Sequence, residues 1–215
     1  MRSGTFNNLT RWSKEWGGSR KCFESQPTIL PGGFKFELAD LPGKGNVLPA
    51  GSPVFCDEVA RTITPLYLFQ VTKVEADTKK VSVAKDMEGT RAKVGMSLIV
   101  LGNDLTQPAS TSWKVVEVDS SDSQVDVLTL DAAITGITAT SVLAEASDEK
   151  KVKVTPNAIT PYDTCVDEDA FACDGDGAWA VYHTPVLERR IPVIPEVIKD
   201  ALKKAGCIFR FSNRK

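Results

Sequence analysis

The sequence predicts a mainly β protein of antiparallel barrel or sandwich domains, with an extended N-terminal arm and one short C-terminal helix. Three observations predict it. Between residues 53 and 145, short runs of β-branched and aromatic residues alternate with polar turns. One stretch near the C-terminus carries helix signals at both ends. The first 51 residues are broken by Pro and Gly too often to hold a regular element.

That arm, residues 1–51, is punctuated at Pro27, Pro31-Gly32-Gly33, Pro42-Gly43 and Pro49-Ala50-Gly51. It still carries Phe6, Trp12, Trp16, Phe23, Phe34 and Phe36, whereas solvated tails are depleted of aromatics. It must therefore pack on something, either its own domain or a neighbouring subunit. In the second case Phe6, Trp12, Trp16, Phe34 and Phe36 are the expected anchors.

Residues 52–150 read as a β-rich domain. Pro53-Val54-Phe55-Cys56 and Leu66-Tyr67-Leu68-Phe69-Gln70-Val71 open it, and alternation on both sides of Asp77 predicts a hairpin turning there. Residues 94–101 follow as a third strand. The order then recurs: Trp113 to Val118, a polar turn, Val125 to Leu130, and Ser141 to Ala144. Setting Val74 to Val83 against Glu117 to Val127, with a two-residue insertion, suggests a duplicated hairpin. Val-rich hairpins resemble one another in any case, so both origins stay open.

Residues 151–215 read as strands plus a helix, with the strands completing a barrel together with residues 48–70. Pro195 and Glu196 open the helix, Lys203 and Lys204 close it and Gly206 stops it.

Composition bounds the function. A chain of 215 residues, 42% apolar, can bury the core of one large domain or two small ones. Its 26 basic and 28 acidic residues leave a net charge of -2, so no global excess draws it to nucleic acid or anionic membrane. The early residues lack an apolar stretch of signal-peptide length, and no run reaches membrane-spanning length, which predicts a soluble protein that is not exported. Five cysteines without a CxxC pair predict reduced, buried thiols and no zinc site.

No catalytic constellation is legible, and the chain reads as a non-enzyme without cofactor. His183 is the only histidine, and no nucleophile motif accompanies it. Asp174 and Asp176 are the best metal candidates, in an acidic loop with Asp167, Glu168 and Asp169. A calcium-loop register starting at Asp174 fails, because Ala178 and Pro185 fall where oxygen ligands belong. Arg2, Arg11, Lys14, Arg20 and Lys21, interleaved with Trp12 and Trp16, form a basic patch. It suits an acidic protein surface better than nucleic acid, since the rest of the chain has no basic character.

Two stretches carry a resemblance. They are Leu48-Pro-Ala-Gly-Ser-Pro-Val-Phe-Cys56 and the C-terminal run through Pro156-Asn157-Ala158, Ala178 to Tyr182, Val186 to Pro192 and Ile208-Phe-Arg-Phe. Together they resemble the head-decoration, or auxiliary capsid and head-fibre-base, proteins of tailed bacteriophages, particularly those infecting gut Bacteroides-type hosts. The resemblance covers about half the chain. It implies a structural protein made in the host cytoplasm and carried in the virion. It further implies binding to the major capsid protein through the arm, and assembly as a homo-oligomer, with a trimer the expected state. The alternative reading is a carbohydrate- or surface-binding β module, with Trp113, Trp179 and Tyr182 as a stacking platform and the Asp174 loop holding calcium.

Overall fold

The computed structural model describes residues 21–30, 34–43, 46–75, 79–85, 89, 91–165, 174–175 and 184–212. The class is as predicted: strands dominate, and one short helix lies near the C-terminus. Among these residues no helix is long and apolar enough to cross a membrane.

Six strands close a barrel: β5 (Leu68–Glu75), β6 (Lys80–Ala84), β7 (Ser97–Val100), β8 (Trp113–Asp119), β9 (Val125–Leu130) and β10 (Val142–Glu145). Here β1 to β4 are Phe34–Phe36, Val47–Leu48, Pro53–Asp57 and Thr62–Pro65. The order around the barrel is β10-β5-β6-β9-β8-β7, with every neighbour antiparallel. Alternation fills the interior: Phe69, Val71, Val81, Val83, Leu98, Trp113, Val115, Leu128, Leu130 and Leu143 are all buried in one cluster. Each such burial is worth roughly 1.5–3 kcal/mol, which is why the alternating pattern specifies the register.

The recurrence in the sequence is a two-fold pattern in the barrel. Exchanging β5, β6 and β7 with β8, β9 and β10 reproduces the same set of neighbours. Both hairpins break register at the same place, between Val71 and Lys73 in one and between Val115 and Glu117 in the other. Val71 N donates to Ser141 O at 3.0 Å, and Val115 N donates to Met96 O at 2.9 Å. Likewise Leu101 N donates to Val142 O and Ala146 N to Ser97 O, both at 2.9 Å. The pattern is centred on two pairs that map onto themselves, Val81 with Leu128 and Ile99 with Ala144. One detail of the sequence alignment is corrected. Glu75 pairs with Lys80 but Asp119 pairs with Val127, so the second loop is longer by three residues, not two, and Val83 corresponds to Leu130 rather than Val127.

The barrel is an insertion within a second unit. β3 and β4 precede it, and β11 (Ala158–Ile159), β12 (Thr164–Cys165) and β13 (Asp174–Gly175) follow it. Of these, β3, β4, β11 and β13 join β1 in a sheet ordered β11-β3-β4-β1-β13, while β12 pairs β2 in a separate two-stranded sheet. Of the strands after the barrel, β11 thus pairs β3 in an open sheet rather than a barrel, β12 pairs β2 apart from that sheet, and β13 pairs β1. Residues 53–65, assigned from sequence to the central domain, belong to this sheet. Residues 34–48, assigned to the arm, supply β1 to this sheet, parallel to β4, and β2 to the separate two-stranded pair with β12.

A second core lies on the outer face of β5, β10 and β7. There Leu68, Ile99 and Ala144 meet Ile198 and Leu202 of α1 (Glu196–Lys204), together with Val186 of β14 (Thr184–Leu187). β14 runs parallel to β15 (Phe209–Ser212), with α1 as the crossover between them. Pro195, expected in the first turn, stands at the N-cap position just before α1, and Gly206 follows the helix end at φ +93°.

Candidate functional site

The described chain begins where it is held firmly. Cys22 and Phe23 are fully buried, and Phe23 bridges Val186 in antiparallel fashion. Leu187 N donates to Cys22 O at 2.9 Å, and Glu24 N to Pro185 O at 3.1 Å. Arg190 Nη1 donates to Lys21 O at 3.1 Å, and the Cys22 thiol donates to Arg190 O at 3.2 Å. These bonds extend the β14–β15 pair by one more segment. They hold residues 21–24 against β14 and the turn that follows it.

The second concentration of polar chemistry ties the segment around Leu38–Asp40, a single 3-10 turn, to the barrel. Lys153 Nζ bridges Asp40 Oδ1 at 2.6 Å and Glu145 Oε1 at 2.9 Å. Tyr67 Oη donates to Asp40 O at 2.7 Å. Lys93 Nζ donates to Ala39 O at 2.7 Å and to Leu41 O at 2.6 Å. Burial raises the Tyr67 phenol well above its ordinary value, and the Glu145 charge adds to this. Burial lowers Lys93. Burial also lowers Lys153, but its hydrogen bonds to Asp40 and Glu145 outweigh that and leave it raised. Glu145 is raised by burial, against the opposing pull of Lys153, and its buried Oε2 has no hydrogen-bond partner among the described residues. The donors here are directed at backbone carbonyls and carboxylates of the fold itself, so the arrangement clamps the chain before β2 onto the barrel rim.

The residues singled out from sequence are dispersed. Phe34 and Phe36 are each 1% exposed and lie in the barrel-side core. They pack on their own domain and are corrected as docking anchors: β1 is an interior strand of the open sheet, and its side chains alternate into the core. Phe6, Trp12 and Trp16 lie outside the described residues. So do Asp176, Trp179, Tyr182 and His183, while Asp174 contributes backbone pairing to Lys35. Trp113 is 3% exposed and its Nε1 donates to Ala133 O at 3.0 Å, so it is core rather than an open stacking platform. Among the described residues no three His, Cys, Asp or Glu side chains gather as metal ligands do. Cys22, Cys56 and Cys207 are buried.

Sequence reasoning missed the clamp altogether. Lys153 and Asp40 stand 113 positions apart, and neither occurs in a motif whose spacing announces a partner. No protein family, curated protein or solved structure matches this chain.

Proposed function

We propose that this is a virion structural protein that binds the major capsid protein through residues 1–20, decorating or stabilising the head of a tailed phage as a homo-oligomer. The observation that carries the reading is the anchorage at Cys22 and Phe23. Residues 1–20 hold Phe6, Trp12 and Trp16 among Arg2, Arg11, Lys14 and Arg20. That is the mixture of rigid aromatic anchors and steering charge that serves an interface with an acidic protein surface. Because this segment joins the fold through fully buried residues, a load on it passes into the core shared by α1, β14 and the barrel. Repetition over a symmetric shell makes modest contacts act together.

The burial of Phe34 and Phe36 narrows the docking set to Phe6, Trp12 and Trp16. It also places the informative truncation just before Lys21, since a cut at Leu48 removes Phe23, Phe34, Phe36 and Leu41 from the cores. The test is co-sedimentation with purified capsid shells of the full chain, of a chain beginning at Lys21, and of the Trp12→Ala/Trp16→Ala variant. Binding by the full chain alone, with all three proteins melting at the same temperature, supports the reading. Sedimentation independent of residues 1–20, or no sedimentation by the full chain, refutes it.

A further inference from the structure

A cleft of about 410 Å³ opens at the barrel rim, lined by Val100, Ala109, Ser110, Thr111, Trp113, Thr135 and Gly136. Its size falls within the range of small-molecule sites. Both walls are fixed in place. On one side Leu105 is buried, and Ala109 N donates to Lys150 O at 2.8 Å. On the other, Ile134 and Ile137 are buried and leave Thr135 and Gly136 projecting between them. The bond from Trp113 Nε1 to Ala133 O joins the floor to this second wall.

The lining decides the ligand class. It holds no charged side chain, so nothing there compensates a phosphate, a carboxylate or a metal ion. The hydroxyls of Ser110, Thr111 and Thr135 make no hydrogen bond with other described residues, in contrast to Thr138 and Ser141 just beyond, whose hydroxyls bond each other at 3.0 Å. Each hydroxyl both donates and accepts. A wholly apolar ligand would leave all three facing hydrocarbon. The ligand that suits them is neutral, edged with groups that donate and accept, and has a C–H face for the half-buried Val100 and Ala109.

From this geometry we infer that the cleft binds a single neutral sugar ring, a hexose unit of a glycan. The wall at Gly136 adopts φ +79° with open space where a Cβ would stand, so the backbone there stays accessible to a ring hydroxyl.

The experiment is saturation-transfer NMR on the full chain with glucose, galactose, mannose and N-acetylglucosamine in turn, repeated on Thr135→Arg and Ser110→Arg. Both substitutions change exposed residues and fill the cleft without entering the core. The expected result is saturable millimolar binding of at least one sugar, weakened about tenfold or more, roughly 1.4 kcal/mol, in both variants at unchanged melting temperature. Absence of saturable binding across the panel, or binding that survives both substitutions, overturns the inference.

Discussion

Lys153 Nζ lies 2.6 Å from Asp40 Oδ1, joining the segment after β10 to the short turn that precedes β2. The same ammonium is 2.9 Å from Glu145 Oε1, and all three side chains are less than a quarter exposed. Replacing Lys153 with Met keeps the aliphatic stem and leaves two carboxylates without their shared cation. A loss of about 1–3 kcal/mol is expected, since stranded buried acceptors lose their compensation. Urea unfolding should show a lower midpoint at unchanged slope. A midpoint within error of wild type would remove the clamp from the account of stability.

Glu145 gives the clamp a pH signature. Burial raises its pKa above the ordinary glutamate value, and Lys153 offsets this only in part. The folded state therefore takes up the proton more readily than the unfolded chain. The corresponding stability is fully present below the ordinary glutamate range and is lost as pH rises through the raised value. Glu145→Gln keeps an acceptor for Lys153 and abolishes the titration. Relative to wild type, the variant should gain stability as pH is raised from about 4 toward neutrality. Parallel stability curves over that range would contradict the assignment.

At the centre of the two-fold pattern, Val81 and Leu128 are cross-strand partners with no exposure. Leu128→Ala should cost about 2–5 kcal/mol, and Val81→Ala somewhat less because fewer methyl groups leave. The two cavities border each other, so the double variant should depart from the sum of the singles by at least about 0.5 kcal/mol. A double-mutant cycle by chemical denaturation measures this. Strict additivity would mean that the side chains do not share one packed space.

The barrel was largely legible in the sequence, and the unit around it was not. The pairing of β5 with β6, the strand at Ser97–Val100 and the repeat of the hairpin pattern are local, and each announces itself through alternation over four or more residues. α1 was legible for the same reason, its signals lying within a dozen positions. The open sheet joins β1 to β4, and β11 to β3 across the whole barrel insertion. Strands of two or three residues between prolines and glycines carry no period to read. Phe34 and Phe36 therefore look like anchors on an irregular arm until β4 is seen beside them. The clamp and the cleft at the barrel rim draw residues from segments far apart in sequence, where spacing along the chain carries no information about proximity.

Gly51 and Gly95 separate two costs that a single glycine substitution usually mixes. Both adopt left-handed backbone, at φ +80° and +89°, so alanine at either position should lose about 1–2 kcal/mol from the conformation alone. At Gly95 nothing lies within 4 Å of an added Cβ, so this is the whole expected effect. At Gly51 the Cβ would fall 2.3 Å from Ile191 Cγ2 and 2.6 Å from Ile191 Cβ, within the core shared with α1. Relief requires moving Ile191 or the turn itself, whose amide at Gly51 donates to Thr160 O at 2.7 Å. Gly51→Ala should therefore be the more destabilised variant by at least about 1 kcal/mol, the lower end of the usual cost of overpacking a core. Thermal unfolding of the two single variants side by side checks it. Equal losses would show that the turn at Gly51 shifts freely and that Ile191 does not pin it.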